Sequence, residues 1–212
     1  PKTRYSPQKA KQLLSEAGYE KGFSIDIWAM PVQRAYNPNA RKMAQMMQQD
    51  LKKIGVEARI ISYEWGTFLA RVAKGQHHSV LLGWNADNGD PDNFFTPMLS
   101  CSAADTGSNI TFWCNPEYDA IIKKALLTTD INQRKEYYTQ AMAILTQEVP
   151  LIPIAHSKRY QARGKNVLGN ILAPFGGINF YQVSKLTPAP KKPIEPHSPL
   201  RIESNIMNTG EN

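Results

Sequence analysis

A chain of 212 residues, 42% apolar and 20% charged, is long enough to bury a hydrophobic core and has ordinary globular composition. No apolar run approaches the roughly 18 residues that span a bilayer. The net charge of +7 is spread over Lys and Arg residues interleaved with Asp and Glu, without the stripe or patch of a nucleic-acid binder.

Pro1-Lys2-Thr3-Arg4-Tyr5 holds no apolar segment of the kind a secretory leader needs, and there is no initiator Met, so the sequence reads as one that begins mid-protein. The first predicted element is a helix. Ser6 caps it, Pro7 takes its first position, Gly18 follows its end, and Ala10, Leu13, Leu14 and Ala17 form its apolar stripe. Residues 23–30 alternate apolar and polar side chains and predict a strand. A loop over 31–37 contains Pro31 and Arg34; Asn37-Pro38 then predicts a second helix over 38–54, stopped by Gly55. Met43, Met46, Met47, Leu51 and Ile54 recur at helical spacing, which predicts a core-facing stripe rather than a ligand box.

Residues 56–63 predict a second strand, so strand, helix and strand form a βαβ unit with both strands parallel. A short helix over 67–74 ends at Gly75. Residues 79–84 then read as a strand so continuously apolar that a buried central position is expected. Behind it runs the most unusual stretch of the chain, Asn85 to Phe95, which packs three Asp, three Asn, Gly89 and Pro91 ahead of two Phe. Loops past the carboxyl ends of strands in open α/β sheets are where ligands bind. The Asp and Asn spacing also resembles a calcium loop, but the closing glutamate is missing. The same residues equally suit turns, with Pro91 to Asn93 capping the helix that holds Phe94 and Phe95.

Cys101 and Cys114 flank a segment of loop composition. They suit a disulfide, which would contribute about 3 kcal/mol and imply an oxidising compartment; two separate buried thiols are the alternative. No CxxC and no Cys/His set has zinc spacing. Residues 116–127 and 132–147 predict helices. In the second, Ala141, Ile144 and Leu145 face inward while Arg134, Lys135 and Glu136 stay wet. Residues 149–155 read as an apolar strand or an extended segment broken by two prolines, residues 167–172 are another candidate strand, and 187–199 carry five prolines, the composition of a disordered tail.

The chain lacks a nucleophile elbow, a Walker loop and GxGxxG; its histidines, His77, His78, His156 and His197, form no catalytic set. These features argue for a binder, not an enzyme. Arg34 and Asp87 each lie just beyond a strand, and in a parallel sheet those ends share one edge. Arginine suits a carboxylate because its planar fork donates two hydrogen bonds, and aspartate suits an ammonium. A surface arginine is the competing reading of Arg34.

Three stretches carry a resemblance: residues 5–19, from Tyr5-Ser6-Pro7 to Ala17-Gly18-Tyr19; residues 27–39, from Ile27-Trp28 through Arg34 to Asn37-Pro38-Asn39; and residues 87–95, from Asp87-Asn88-Gly89-Asp90 to Phe94-Phe95. They resemble the periplasmic dipeptide-binding proteins of Gram-negative bacteria, within the family 5 extracellular solute-binding proteins. Residues 144–180, with Pro150-Leu151-Ile152-Pro153 and Pro174-Phe175-Gly176-Gly177, are more similar to the Sap group, which binds peptides and is linked to antimicrobial-peptide resistance.

The resemblance implies an α/β fold of the type II-like periplasmic binding protein class, with a mixed or parallel sheet flanked by helices. Residues 1–185 would form the C-terminal lobe and 186–212 a tail outside the likeness. The partners implied are short peptides, an inner-membrane ABC permease and an N-terminal lobe not contained in this chain. The site residues implied are Asp87 for the peptide ammonium, Arg34 for its carboxylate and Trp84 beside them, with Cys101 and Cys114 paired. Sap-type members generally lack the arginine, so Arg34 favours short peptides. No cofactor is implied, although haem is a transported ligand for some members.

Overall fold

The computed structural model describes residues 4–156, 158, 160–169, 172, 175 and 179–186. Helix α1 (Pro7–Glu16) starts as expected: Ser6 Oγ accepts from the Lys9 amide at 3.2 Å and Pro7 opens the first turn. Its stripe does not reach a core. No residue of α1 is buried and Leu13 is 52% exposed; beside the helix, Tyr5 bonds to Asp50 at 2.9 Å. After it, Gly22 at φ 72° lies so close to the Gly55 backbone that any Cβ would overlap its carbonyl. That close approach brings the start of strand β1 (Phe23–Ala29) beside the start of β2 (Val56–Ile61).

β1 and β2 pair in parallel from Phe23↔Val56 to Trp28↔Ile61, connected by α2 (Ala40–Lys52). Helix α3 (Trp65–Val72) then returns the chain to β3 (Ser79–Leu81), which runs parallel to β1 on its other side. The order is β2-β1-β3, so the central strand is β1, not the apolar run at 79–84. Ile27, Trp28 and Ala29 are consecutive and all buried, meaning that both faces of β1 are covered at this end. β3 is half-buried and stops after three residues.

Helix α2 begins two residues later than predicted. Asn39 caps it, accepting from the Lys42 amide at 2.9 Å, while Asn37 accepts from the Asn39 amide in the preceding turn. The buried positions of α2 are Ala40 and Ala44, with Met47 and Leu51 packed behind them; Met46 is 62% exposed. Two alanines let the helix backbone close on the sheet, which rotates the expected methionine stripe partly away from it. Phe68 and Val72 of α3 complete this core against Trp28.

A second core lies among helices. These are α4 (Asp92–Leu99), α5 (Cys101–Thr106), α6 (Pro116–Leu127) and α7 (Ile131–Glu148). Leu99, Tyr118, Ile121, Ile122, Ala125, Tyr138 and Ala141 are buried together. Cys101 and Cys114 form a disulfide. The segment between them is not all loop, because its first half is α5, capped by Ser100. The fully buried Asn109 donates to the carbonyls of Ser100 at 3.0 Å and Trp113 at 2.9 Å and accepts from Thr111, which fixes the remainder. Such an amide uses its donors and acceptor at once, as burial requires.

Residues 149–155 form no strand. Val149 sits in the left-handed region at φ 51°, and Pro150 and Pro153 have no N–H to give a ladder. Within the candidate strand at 167–172, β4 (Val167–Leu168) pairs antiparallel with β5 (Ser184–Lys185), and residues 170 and 171 lie outside the described residues. The proline-rich tail falls on residues 187–212, outside the described residues.

Candidate functional site

Parallel pairing puts the carboxyl ends of β1, β2 and β3 on one edge of the sheet, and the expected site residues follow those ends. Arg34 lies five residues past β1, Trp65 four past β2, and Trp84 and Asp87 three and six past β3. In an open α/β sheet this edge is the position of ligand crevices.

Arg34 and Asn37 exchange backbone bonds at 3.1 and 3.0 Å, closing a tight turn that presents the exposed arginine. The guanidinium carbon lies 4.6 Å from the Trp65 ring centre. This stacking holds the planar fork by one face and leaves its N–H edge available. Tyr36, inside the same turn, lays its ring on the backbone of Gly83, where a Cβ would stand 2.7 Å from Tyr36 Cγ. Its hydroxyl donates to Met30 Sδ at 3.6 Å. Burial raises the Tyr36 pKa, opposed by the charge of Arg34 beside it. The ring therefore joins the Arg34 loop to the loop leaving β3.

The 84–93 loop is cross-linked from within. Asn93 Oδ1 accepts from the Asp87 amide at 2.9 Å and from Trp84 Nε1 at 3.4 Å. Asn88 Oδ1 accepts from the Asp90 amide at 2.9 Å. Within the stretch expected to start α4, Pro91 to Asn93, Pro91 takes the N-cap position without a side-chain bond, and the side chain that serves the first turn is that of Asp90, whose Oδ1 accepts from the Asp92 amide at 2.9 Å. Asp92 takes the Thr96 hydroxyl at 2.5 Å.

Arg134 does not stay wet. Half-buried on α7, it bonds to Asp90 at 2.9 Å, to Tyr138 at 3.0 Å and to the Ala125 carbonyl at 2.9 Å. The Asp92 N–H bond, joined by Arg134, lowers the Asp90 pKa.

Of the three carboxylates in the loop, two are thus engaged internally. The exposed Asp87 carboxylate has no hydrogen bond or ion pair among the described residues, and the Arg34 guanidinium likewise has no anionic partner among them. An open groove of about 330 Å³ lies on the α4 side of the loop, lined by Asp90, Asp92, Thr96 and Leu126; it includes neither Arg34 nor Asp87. The supports that sequence reasoning missed are Trp65, Tyr36 on Gly83, Asn93 and the Arg134–Asp90–Tyr138 cluster. Only the last left a trace: Arg134 and Tyr138 are one helical turn apart, on the face that also carries Ala141.

Known proteins resemble the chain over most of its length. The Escherichia coli (strain K12) dipeptide-binding protein is 51% identical over 180 residues, covering 85% of this chain and 34% of that protein. Heme-binding protein A of Haemophilus influenzae is 42% identical over 180 residues, covering 85% of this chain and 33% of that protein. Among solved structures, the dipeptide-binding protein of Pseudoalteromonas sp. SM9913 in complex with Met-Leu superimposes with a TM-score of 0.79 at 56% identity, over 86% of this chain and 36% of that one. The chain spans about a third of the length of the curated relatives it matches. Residues 1–106 match the family model described as bacterial extracellular solute-binding proteins, family 5 middle. With half its length matched by that model, the chain belongs to the family 5 extracellular solute-binding proteins.

Proposed function

We propose that this chain is the C-terminal lobe of a periplasmic binding protein that captures short peptides for an ABC importer. Asp87 holds the peptide ammonium, Arg34 holds its carboxylate and Trp84 walls the space beside Asp87. The carrying observation is the pair of opposite charges on loops from one sheet edge, neither of them neutralised among the described residues.

The chemistry follows from the ligand. A free dipeptide in water is a zwitterion, and a cation and an anion at a fixed separation select its length. The stacked guanidinium is preorganised, so little rotamer entropy is lost when it accepts a carboxylate. Trp84 is pinned through Nε1 by the same Asn93 that holds the Asp87 amide, so wall and anchor share one support. Closure of a second lobe over these groups removes water and strengthens both ion pairs.

The test is calorimetry on the full-length protein with Met-Leu and with its C-terminal amide. Arg34→Ala weakens Met-Leu binding by about 2–5 kcal/mol, because the ligand carboxylate is left buried and unpaired. The amide, which lacks that charge, binds both proteins with the same reduced affinity. Unchanged Met-Leu affinity in the variant refutes the assignment. Native mass spectrometry of the protein taken from the periplasm identifies co-purified ligand, and haem or a long cationic peptide there, in place of a short peptide, overturns the substrate class.

A further inference from the structure

Beyond the Tyr36 contact at its start, the loop carrying Asp87 is held from the helical half of the chain. Asp90, three residues on, accepts from Arg134 Nη2 at 3.0 Å on Oδ1 and 2.9 Å on Oδ2. The same nitrogen donates to Tyr138 Oη at 3.0 Å, and Tyr138 Oη donates to Asp90 Oδ1 at 3.3 Å. Arg134 Nε donates to the Ala125 carbonyl near the end of α6. One planar side chain thus spans α6, α7 and the loop. Lysine, a single point donor, cannot reproduce two arms at a fixed angle.

The constraint reaches Asp87 by two routes. Asp90 donates its amide to Asn88 Oδ1, which closes the turn next to Asp87. Asp90 also caps α4 through the Asp92 amide, and the first turn of α4 carries Asn93, whose Oδ1 receives the Asp87 amide. Among the described residues, Arg134 is also the one basic side chain paired with a carboxylate of this loop. Its engagement with Asp90 leaves Asp87 as the carboxylate that a ligand cation can take.

We propose that Arg134 is a positioning residue for peptide recognition, clamping Asp90 between α6 and α7 so that the Asp87 carboxylate is held over the sheet edge. This rests on the reading of Asp87 as the ammonium anchor. Arg134 touches no ligand and acts through the loop.

The experiment is a set of Met-Leu titrations by calorimetry on the full-length protein and its Arg134→Gln, Arg134→Lys, Asp90→Asn and Asp87→Asn variants, with each of the first three repeated in the Asp87→Asn background. Arg134→Gln is expected to weaken binding roughly tenfold, the size of one coupled interaction. Arg134→Lys recovers little of that loss, and Asp90→Asn reproduces it with the arginine intact. None of the three weakens binding further once Asp87 is Asn. A residue that merely stabilised the fold would lower affinity equally in both backgrounds, and that result overturns the proposal. Unaltered affinity in Arg134→Gln and Asp90→Asn, with Asp87→Asn weak, overturns the positioning role alone and leaves the anchor standing. Normal affinity in Asp87→Asn removes both. If Arg134→Gln does not fold, the Asp90→Asn comparison decides in its place.

Discussion

Replacing Gly83 by alanine tests the joint between the two anchor loops. Gly83 is not in the left-handed region, so an L side chain costs its backbone nothing. The added Cβ would stand 2.7 Å from Tyr36 Cγ and 3.0 Å from Cε2, and nearer still to Cδ2. Carbon atoms pack at about 3.5–4.0 Å, so the ring must lift by about 1 Å. Overpacking of this kind costs about 1–3 kcal/mol. Tyr36 lies inside the turn closed by the Arg34 and Asn37 backbone bonds, so the displacement carries Arg34 off its seat on Trp65. Urea denaturation followed by tryptophan fluorescence measures the loss. A double-mutant cycle with Tyr36→Ala isolates its cause, since with the ring gone Gly83→Ala should be neutral or stabilising by about 0.4–1 kcal/mol through the unfolded chain. An equal penalty with and without the ring would refute the packing account.

Two further outcomes concern stability. His77 is half-buried between Trp28 and Phe112, with Nε2 on the Ile110 carbonyl at 3.1 Å and Nδ1 buried without a partner among the described residues. Burial lowers its pKa, with a small further push from His78, against the opposing pull of the Ile110 carbonyl. The unfolded chain therefore takes up the proton first, and stability falls as pH drops below about 6.5, levelling at the lower folded value; urea midpoints from pH 8 to 5 should show a step that His77→Gln loses. Reduction of Cys101–Cys114, whose cysteines are 13 positions apart, should cost about 3 kcal/mol; an unchanged midpoint with reductant would show that Asn109 and α5 hold the segment unaided.

Much of the fold was legible because it follows local chemistry. Ser6-Pro7 starts a helix where a capping side chain and a proline coincide. Parallel pairing of the first two strands follows from a helix between them. That Arg34 and Asp87 each follow a strand of the parallel sheet is likewise legible, because their loop stretches carry the family likeness. Errors arose where the deciding partner is distant in sequence. Met46 repeats at helical spacing, yet Ala40 and Ala44 take the sheet-facing seam. Arg134 reads as a solvated charge until Asp90, 44 residues earlier, is brought against it.

The sequence by itself determined most of the helices, the parallel pairing of β1 and β2 and the family, since caps, periodicity and motif stretches act over a few residues. Tertiary structure alone decided that β1 is the central strand, that Tyr36 closes on Gly83 and that two of the three loop carboxylates are already bonded. Each of those depends on which atoms from remote segments occupy the same few ångströms, a property that hydrophobic pattern and local propensity do not encode.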